Sequence, residues 1–167
     1  MSSKYIANIH ELTGGNERSQ GTKFASKHTP IALNLGAKKL GYNLTEIPPG
    51  KKAFPYHFHY VNEELFFILS GKGEVRMPDG THPLKEGDLL CCPPGPEGAH
   101  QIVNTGKEPL RYLALSSRED PEVVEYPDAG KYGVTAGRVY GTPFPNAAFH
   151  AFAFTKDRVD YWAGEDV

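Results

Sequence analysis

Long hydrophobic runs are missing from this chain of 167 residues. The longest, Leu65 to Leu69, is only strand length, far short of the ~18–20 residues of a membrane helix. The opening MSSKYIANIHELTGG has no apolar signal-peptide segment, so nothing there directs export. An excess of basic charge is also missing. The net charge is -2 and the sequence pI about 6.4, which leaves no global field to hold nucleic acid or an anionic membrane. Cysteine is scarce: Cys91 and Cys92 stand side by side, a spacing at which a disulfide is strained and rare. They read as two thiols in a reducing compartment, most simply the cytoplasm. No repeat, heptad or low-complexity block occurs, and no long amphipathic helix, which disfavours α/β architecture.

What the chain does have is short alternating or apolar runs divided by turn signals. Strands are expected at Ile31–Leu35, Leu40–Ile47, Phe54–His59, Glu64–Ser70, Gly73–Met77, Asp88–Cys92, His100–Asn104 and Leu110–Leu115. Pro48-Pro49-Gly50, Gly71-Lys72-Gly73, Pro78-Asp79-Gly80, Glu86-Gly87-Asp88 and Thr105-Gly106-Lys107 punctuate them. Strands every ~8–12 residues predict an all-β sandwich or barrel. The polar residues 1–30 read as a lead-in segment, with 11–30 as loop, and 31–116 as the barrel. Residues 117–167 read as an extension of the same domain, too poor in apolar residues to fold alone. They are expected to pack on the barrel or on a second subunit.

The chemistry concentrates between Gly50 and Asn104. His57 and His59 are two apart, so on a strand both imidazoles face one side. Glu64 opens the next apolar run, and a hairpin would bring it beside the pair, with Glu63 on the opposite face. His100 begins another strand after Pro93-Pro94-Gly95-Pro96. Three imidazoles and a carboxylate make a nitrogen/oxygen site for a divalent first-row metal with open positions for substrate.

These residues resemble the cupin family. Its first motif reads here as Gly50, His57, His59, Glu64 and Gly71, and its second as Gly87, Pro93, Gly95, His100 and Asn104. The gaps before His57 and His100 are one and two residues longer than the common form, in turn-rich segments where added length is cheap. The resemblance covers roughly residues 30–116. It implies a double-sheet jelly-roll β-barrel, with His57, His59, Glu64 and His100 as the metal ligands. Tyr126-Pro127-Asp128 with Lys131, and Tyr161-Trp162 with Gly164-Glu165, are similar to small bacterial cupins loosely described as sugar-phosphate-isomerase-like.

The implied cofactor is one divalent transition metal: Fe, Mn, Ni, Co, Cu or Zn. The implied activity is on a small polar metabolite of carbohydrate or organic-acid type, as an isomerase or epimerase. An iron-dependent dioxygenase, a non-catalytic ligand-binding or sensing protein, and an auxiliary subunit docked on a larger enzyme are the alternatives. By alternation Phe66, Ile68 and Ile102 face inward and are the candidate substrate pocket. Leu65 and Phe67 face outward, where burial under the tail or a partner predicts a homodimer. Cys91 and Cys92 alternate, and the interior thiol reads as packing. His10, His28, His82 and His150 lie outside the motifs, with His82 in an exposed hairpin and His150 a core or interface histidine. Lys51, Lys52 and Arg111 read as solvated charges, although a cation at the pocket mouth would favour an anionic substrate.

Overall fold

The computed structural model describes residues 3–143 and 145–166. Among these, thirteen strands pair antiparallel in three sheets. The first sheet runs β1 (Asn16–Gln20), β2 (Phe24–Pro30), β3 (Leu40–Ile47), β10 (Leu110–Ser117), β5 (Glu64–Ser70), β8 (Leu89–Cys92). A three-stranded sheet places β6 (Lys72–Met77) between β7 (Gly80–Lys85) and β9 (Gln101–Val103). A four-stranded sheet runs β13 (Ala147–Phe154), β12 (Lys131–Arg138), β11 (Glu122–Tyr126), β4 (Phe58–His59). The architecture is the expected all-β jelly roll, built as facing sheets rather than a ring closed by continuous hydrogen bonding. No helix among the described residues is long and apolar enough to cross a membrane.

Period-two alternation explains the core. On β5, Phe66 and Ile68 are buried while Phe67 is exposed. They pack with Ile47, Val75, Leu84, Leu90, Cys92, Ile102, Leu110 and Tyr112, so the core lies between the first and the three-stranded sheets. Each such side chain contributes ~1.5–3 kcal/mol on burial. Asn104, fully buried, ties the loops at one end. Its Nδ2 donates to the carbonyls of Ile47 (2.7 Å) and Glu108 (2.9 Å), and its Oδ1 accepts from Gly106 N–H (2.9 Å).

The strands over Leu40–Ile47 and Glu64–Ser70 agree with the sequence expectation residue for residue. Four regions differ. Residues 16–30 are not loop but the β1–β2 hairpin, added to the edge of β3. All five β1 side chains are exposed, so no apolar alternation marked it, and its charges suit an edge strand. Ile31–Leu35 is not a strand. Leu35 N–H bonds Ile31 C=O and Asn34 Nδ2 bonds Pro30 C=O, curling this run into turns. Of the expected Phe54–His59 strand only Phe58–His59 joins a sheet and His57 makes an isolated bridge, since Pro55 has no N–H to give. The tail is no mere cover: three of its strands make the sheet on which β4 lies, leaving Phe67 and Leu89 of the outward face 36% and 69% exposed.

Candidate metal centre and its cavity

The two histidine motifs are joined by a reciprocal backbone bridge. His57 N–H donates to His100 C=O (3.2 Å) and His100 N–H to His57 C=O (2.9 Å). That bridge brings the two rings to 4.7 Å between centroids. His59, on β4, pairs with Val124 of β11. Glu64 opens β5 between Cys92 on β8 and Ser116 on β10.

Each imidazole is oriented through its Nδ1. His57 Nδ1 donates to the Pro55 carbonyl and His100 Nδ1 to the Gly98 carbonyl, both at 2.9 Å. A carbonyl only accepts, so in the neutral rings Nδ1 carries the proton and Nε2 presents its lone pair. Residue 98 has to be glycine, because a Cβ there would sit 1.8 Å from the Pro93 carbonyl oxygen. His59 Nδ1 lies 3.4 Å from Glu122 Oε2, an electrostatic contact rather than a well-formed hydrogen bond. Glu122 is buried, and its carboxylate also accepts from the backbone N–H groups of Val61 (3.3 Å) and Asn62 (3.0 Å) and from the Asn62 side chain.

The three Nε2 atoms converge on one oxygen. Glu64 Oε2 is 3.9 Å from His57, 3.2 Å from His59 and 3.3 Å from His100. It is buried without a formed hydrogen bond. Ligand atoms of His57, His59 and Glu64 all lie within 4.8 Å of one another. An orphaned buried carboxylate oxygen facing three imidazole nitrogens fits a divalent transition metal, whose identity these donors leave open. Without a metal, protons take that role. Burial, then the nearby His100, pushes His57 down to about 4 and keeps it neutral. Burial also opposes charge on His59 and His100. The Glu122 and Glu64 carboxylates nonetheless raise His59 to about 9, and the Cys92 sulfur and Glu64 raise His100 to about 10. Burial works against the Glu64 carboxylate too, but His100 and His59 hold its pKa well below the usual range.

The cluster lies in a cavity of about 290 Å³, at the small end of metabolite pockets. Phe66 and Ile102 are on its wall, as are Phe54, Val124, Tyr126 and Phe152. Ile68, though it shares the inward face, is fully buried deeper in the core and does not line the cavity. The sequence reading missed Glu122, Tyr126, Thr135 and Arg138, all on tail strands it did not foresee. His150, read as a core or interface histidine, also lines the cavity. Its alternation with Phe152 was the available signal. The cations considered for the mouth act elsewhere. Lys51 Nζ donates to Thr22 C=O, Lys52 Nζ to Gln101 Oε1, and Arg111 pairs with Glu46. His82 is exposed beside Asp79, and His28 bonds Ser26 and Thr45. Cys91 is exposed and Cys92 buried, so the two thiols face opposite ways.

This fold and donor set define a class, and comparison with known proteins agrees. Residues 43–116 match the cupin domain family, so the chain carries a cupin domain over that stretch. An uncharacterized protein of Methanocaldococcus jannaschii is 36% identical over 83 residues, covering 47% of this chain and 64% of that protein. A glucose-6-phosphate isomerase of Pyrococcus horikoshii is 32% identical over 115 residues, covering 62% and 51%. The chain thus spans between half and two thirds of these relatives. A solved candidate sugar phosphate isomerase of Acidithiobacillus ferrooxidans is similar nearly end to end: TM-score 0.79, 27% identity, 93% of this chain and 96% of that one.

Protonated imidazoles cannot ligate, so a cation held by His59 and His100 would have to displace their protons. Affinity for Mn²⁺ is therefore expected to climb between pH 6 and pH 9, with protons released on binding. Calorimetry in buffers of different ionisation heat measures both, and a pH-independent affinity would contradict the assignment. In the metal-free protein these two raised groups add stability that is full below pH 6.5 and lost as pH rises through about 9 to 10.

Proposed function

We propose that the protein is a metal-dependent isomerase or epimerase of a small hydroxy-carbonyl metabolite, working in the cytoplasm. The observation that carries this reading is the convergence of three Nε2 atoms on the orphaned Glu64 oxygen in the wall of a cavity. His57, His59, Glu64 and His100 would hold one divalent cation, which supplies Lewis acidity toward neighbouring hydroxyl and carbonyl oxygens and so acidifies the adjacent C–H. The chain's own groups do the rest. Phe66 and Ile102 are buried on the cavity wall and Phe54 and Phe152 lie on its solvent-exposed part, together giving an apolar lining. Tyr126 stacks on His57 with ring centroids 5.9 Å apart. Burial, then the Glu64 charge, raises its pKa, so it keeps its proton and offers an O–H donor to a substrate oxygen. The likeness to the Acidithiobacillus protein and to glucose-6-phosphate isomerases supports isomerisation of a sugar or sugar phosphate. A cytoplasmic place is supported by two unpaired thiols, one of them exposed.

His59→Ala and His100→Ala are expected to lose metal occupancy by more than the ~10–100-fold typical of an outer partner, which is the loss expected for Glu122→Gln. His82→Ala is expected to keep it. Elemental analysis of protein purified without a His-tag decides this, and equal occupancy in all variants would remove the ligand assignment.

The metal-loaded protein is expected to exchange the hydrogen next to the carbonyl of an aldose or ketose phosphate with solvent deuterium, and to stop on chelation. Proton NMR of glucose 6-phosphate, fructose 6-phosphate and pentose phosphates reads this. Oxygen uptake by iron-loaded protein without exchange would put a dioxygenase in its place. Retained ligand affinity with neither reaction would make it a binding protein.

The outward face around Phe67 and Leu89 pairs with a second copy in this reading. Leu89→Lys is expected to move the protein from dimer to monomer in light scattering, and a monomeric wild type would exclude the pairing.

A further inference from the structure

We propose that Arg138, with Thr135 and His150, forms an oxyanion subsite in the cavity wall that takes a phosphate or carboxylate group of the substrate. This rests on the reading above and adds where the charged end of the substrate goes. The reacting end meets the histidine cluster, and the charged end meets the β12–β13 hairpin.

The backbone is shaped to deliver Arg138. On β12, Gly133 and Thr135 line the cavity, as alternation requires. The next residue in phase is Gly137, yet Arg138 lines the cavity instead. Gly137 has φ +71°, outside the extended range, so the backbone is locally broken there, although pairing with β13 keeps one register from Ala136–Phe149 to Arg138–Ala147. Its N–H and that of Arg138 both donate to Asp120 Oδ2, at 2.8 and 3.2 Å. Consecutive N–H groups of a regular strand point to opposite sides, so their meeting on one oxygen marks the same break. Only glycine suits residue 137: besides its φ, a Cβ there would lie 2.7 Å from Ala148 Cβ. Asp120 and Gly137 are thus positioning residues for the guanidinium.

The polar neighbours are paired across the same hairpin. Thr135 and His150 are directly opposed in register, with Thr135 Oγ1 3.0 Å from His150 Nδ1. Phe54, Val124 and Phe152 lend the wall apolar surface, while Asn43, Gln101 and the histidine–Glu64 cluster share the same cavity, so the Arg138 variants separate this subsite from the cluster. A guanidinium fork matches the paired oxygens of phosphate or carboxylate, and desolvation strengthens the contact. Among the described residues lining this cavity, Arg138 is the one Lys or Arg.

Equilibrium dialysis of the full-length protein, metal-stripped and Mn²⁺-loaded, against labelled inorganic phosphate and against labelled acetate tests the subsite. Metal-stripped wild type is expected to bind one of these anions. Arg138→Gln should weaken that binding about tenfold or more, the scale of a lost charge-assisted contact. Arg138→Lys, which keeps the charge but not the fork, should lie between and guards against a folding defect. Arg111→Gln should bind as wild type. Arg138-dependent phosphate uptake assigns a phosphate monoester, and Arg138-dependent acetate uptake a carboxylate; both support the subsite. Unchanged binding in Arg138→Gln overturns it, as does anion binding that requires the metal. Anion binding intact in a wild type that takes up no cation would remove the metal reading while leaving the subsite standing.

Discussion

Glu64 Oε2 is a carboxylate oxygen buried among three imidazole nitrogens and fixed there by backbone on every side. An ionised oxygen in that position has to be balanced by positive charge, since uncompensated burial of a charge costs several kcal/mol. The fold supplies the balance as a place rather than as a lysine or arginine. Two rings are locked by carbonyls, the third is steered by Glu122, and all three turn their Nε2 edges to the same point. The His57–His100 backbone bridge is what holds two distant motifs to that geometry. The cluster, the cavity above it and the chemistry proposed for it all depend on this one charge.

Much of the first sheet could be read from the sequence because its strands obey one simple rule. Leu40–Ile47 and Glu64–Ser70 alternate, or run apolar, between strong turn signals, and their limits fall where the Gly and Pro residues put them. The four converging donors were legible for a related reason: His-x-His on a strand and a glutamate at the start of the next leave few ways to diverge. What was illegible has its own physics. β1 is polar on both faces because it is an exposed edge, held by main-chain bonds that leave no mark on side-chain choice. β12 breaks its own alternation at Gly137, so a period-two reading puts Arg138 on the wrong face. Glu122 gave no signal, because its task is to meet His59 and the Asn62 backbone across roughly sixty residues of chain.

The tail changes meaning once it is seen as sheet. Its residues read as too apolar-poor to fold alone, and in the structure β11 pairs with β4 while β12 and β13 line the cavity. Seven of the eighteen residues lining the cavity therefore come from outside residues 43–116, the stretch that matches the cupin domain family. The donors lie in the shared part, whereas Tyr126, Thr135, Arg138 and His150 lie beyond it.

The β4–β11 contact is only two residue pairs long, Val124 with His59 and Glu125 with Phe58. One member of that short seam is itself a donor of the cluster. In the reading proposed above, fraying of the seam would release His59, so cation occupancy of the cage and docking of β11 would be thermodynamically linked. A protease that nicks the open tail would consequently act as a gauge of how full the cage is.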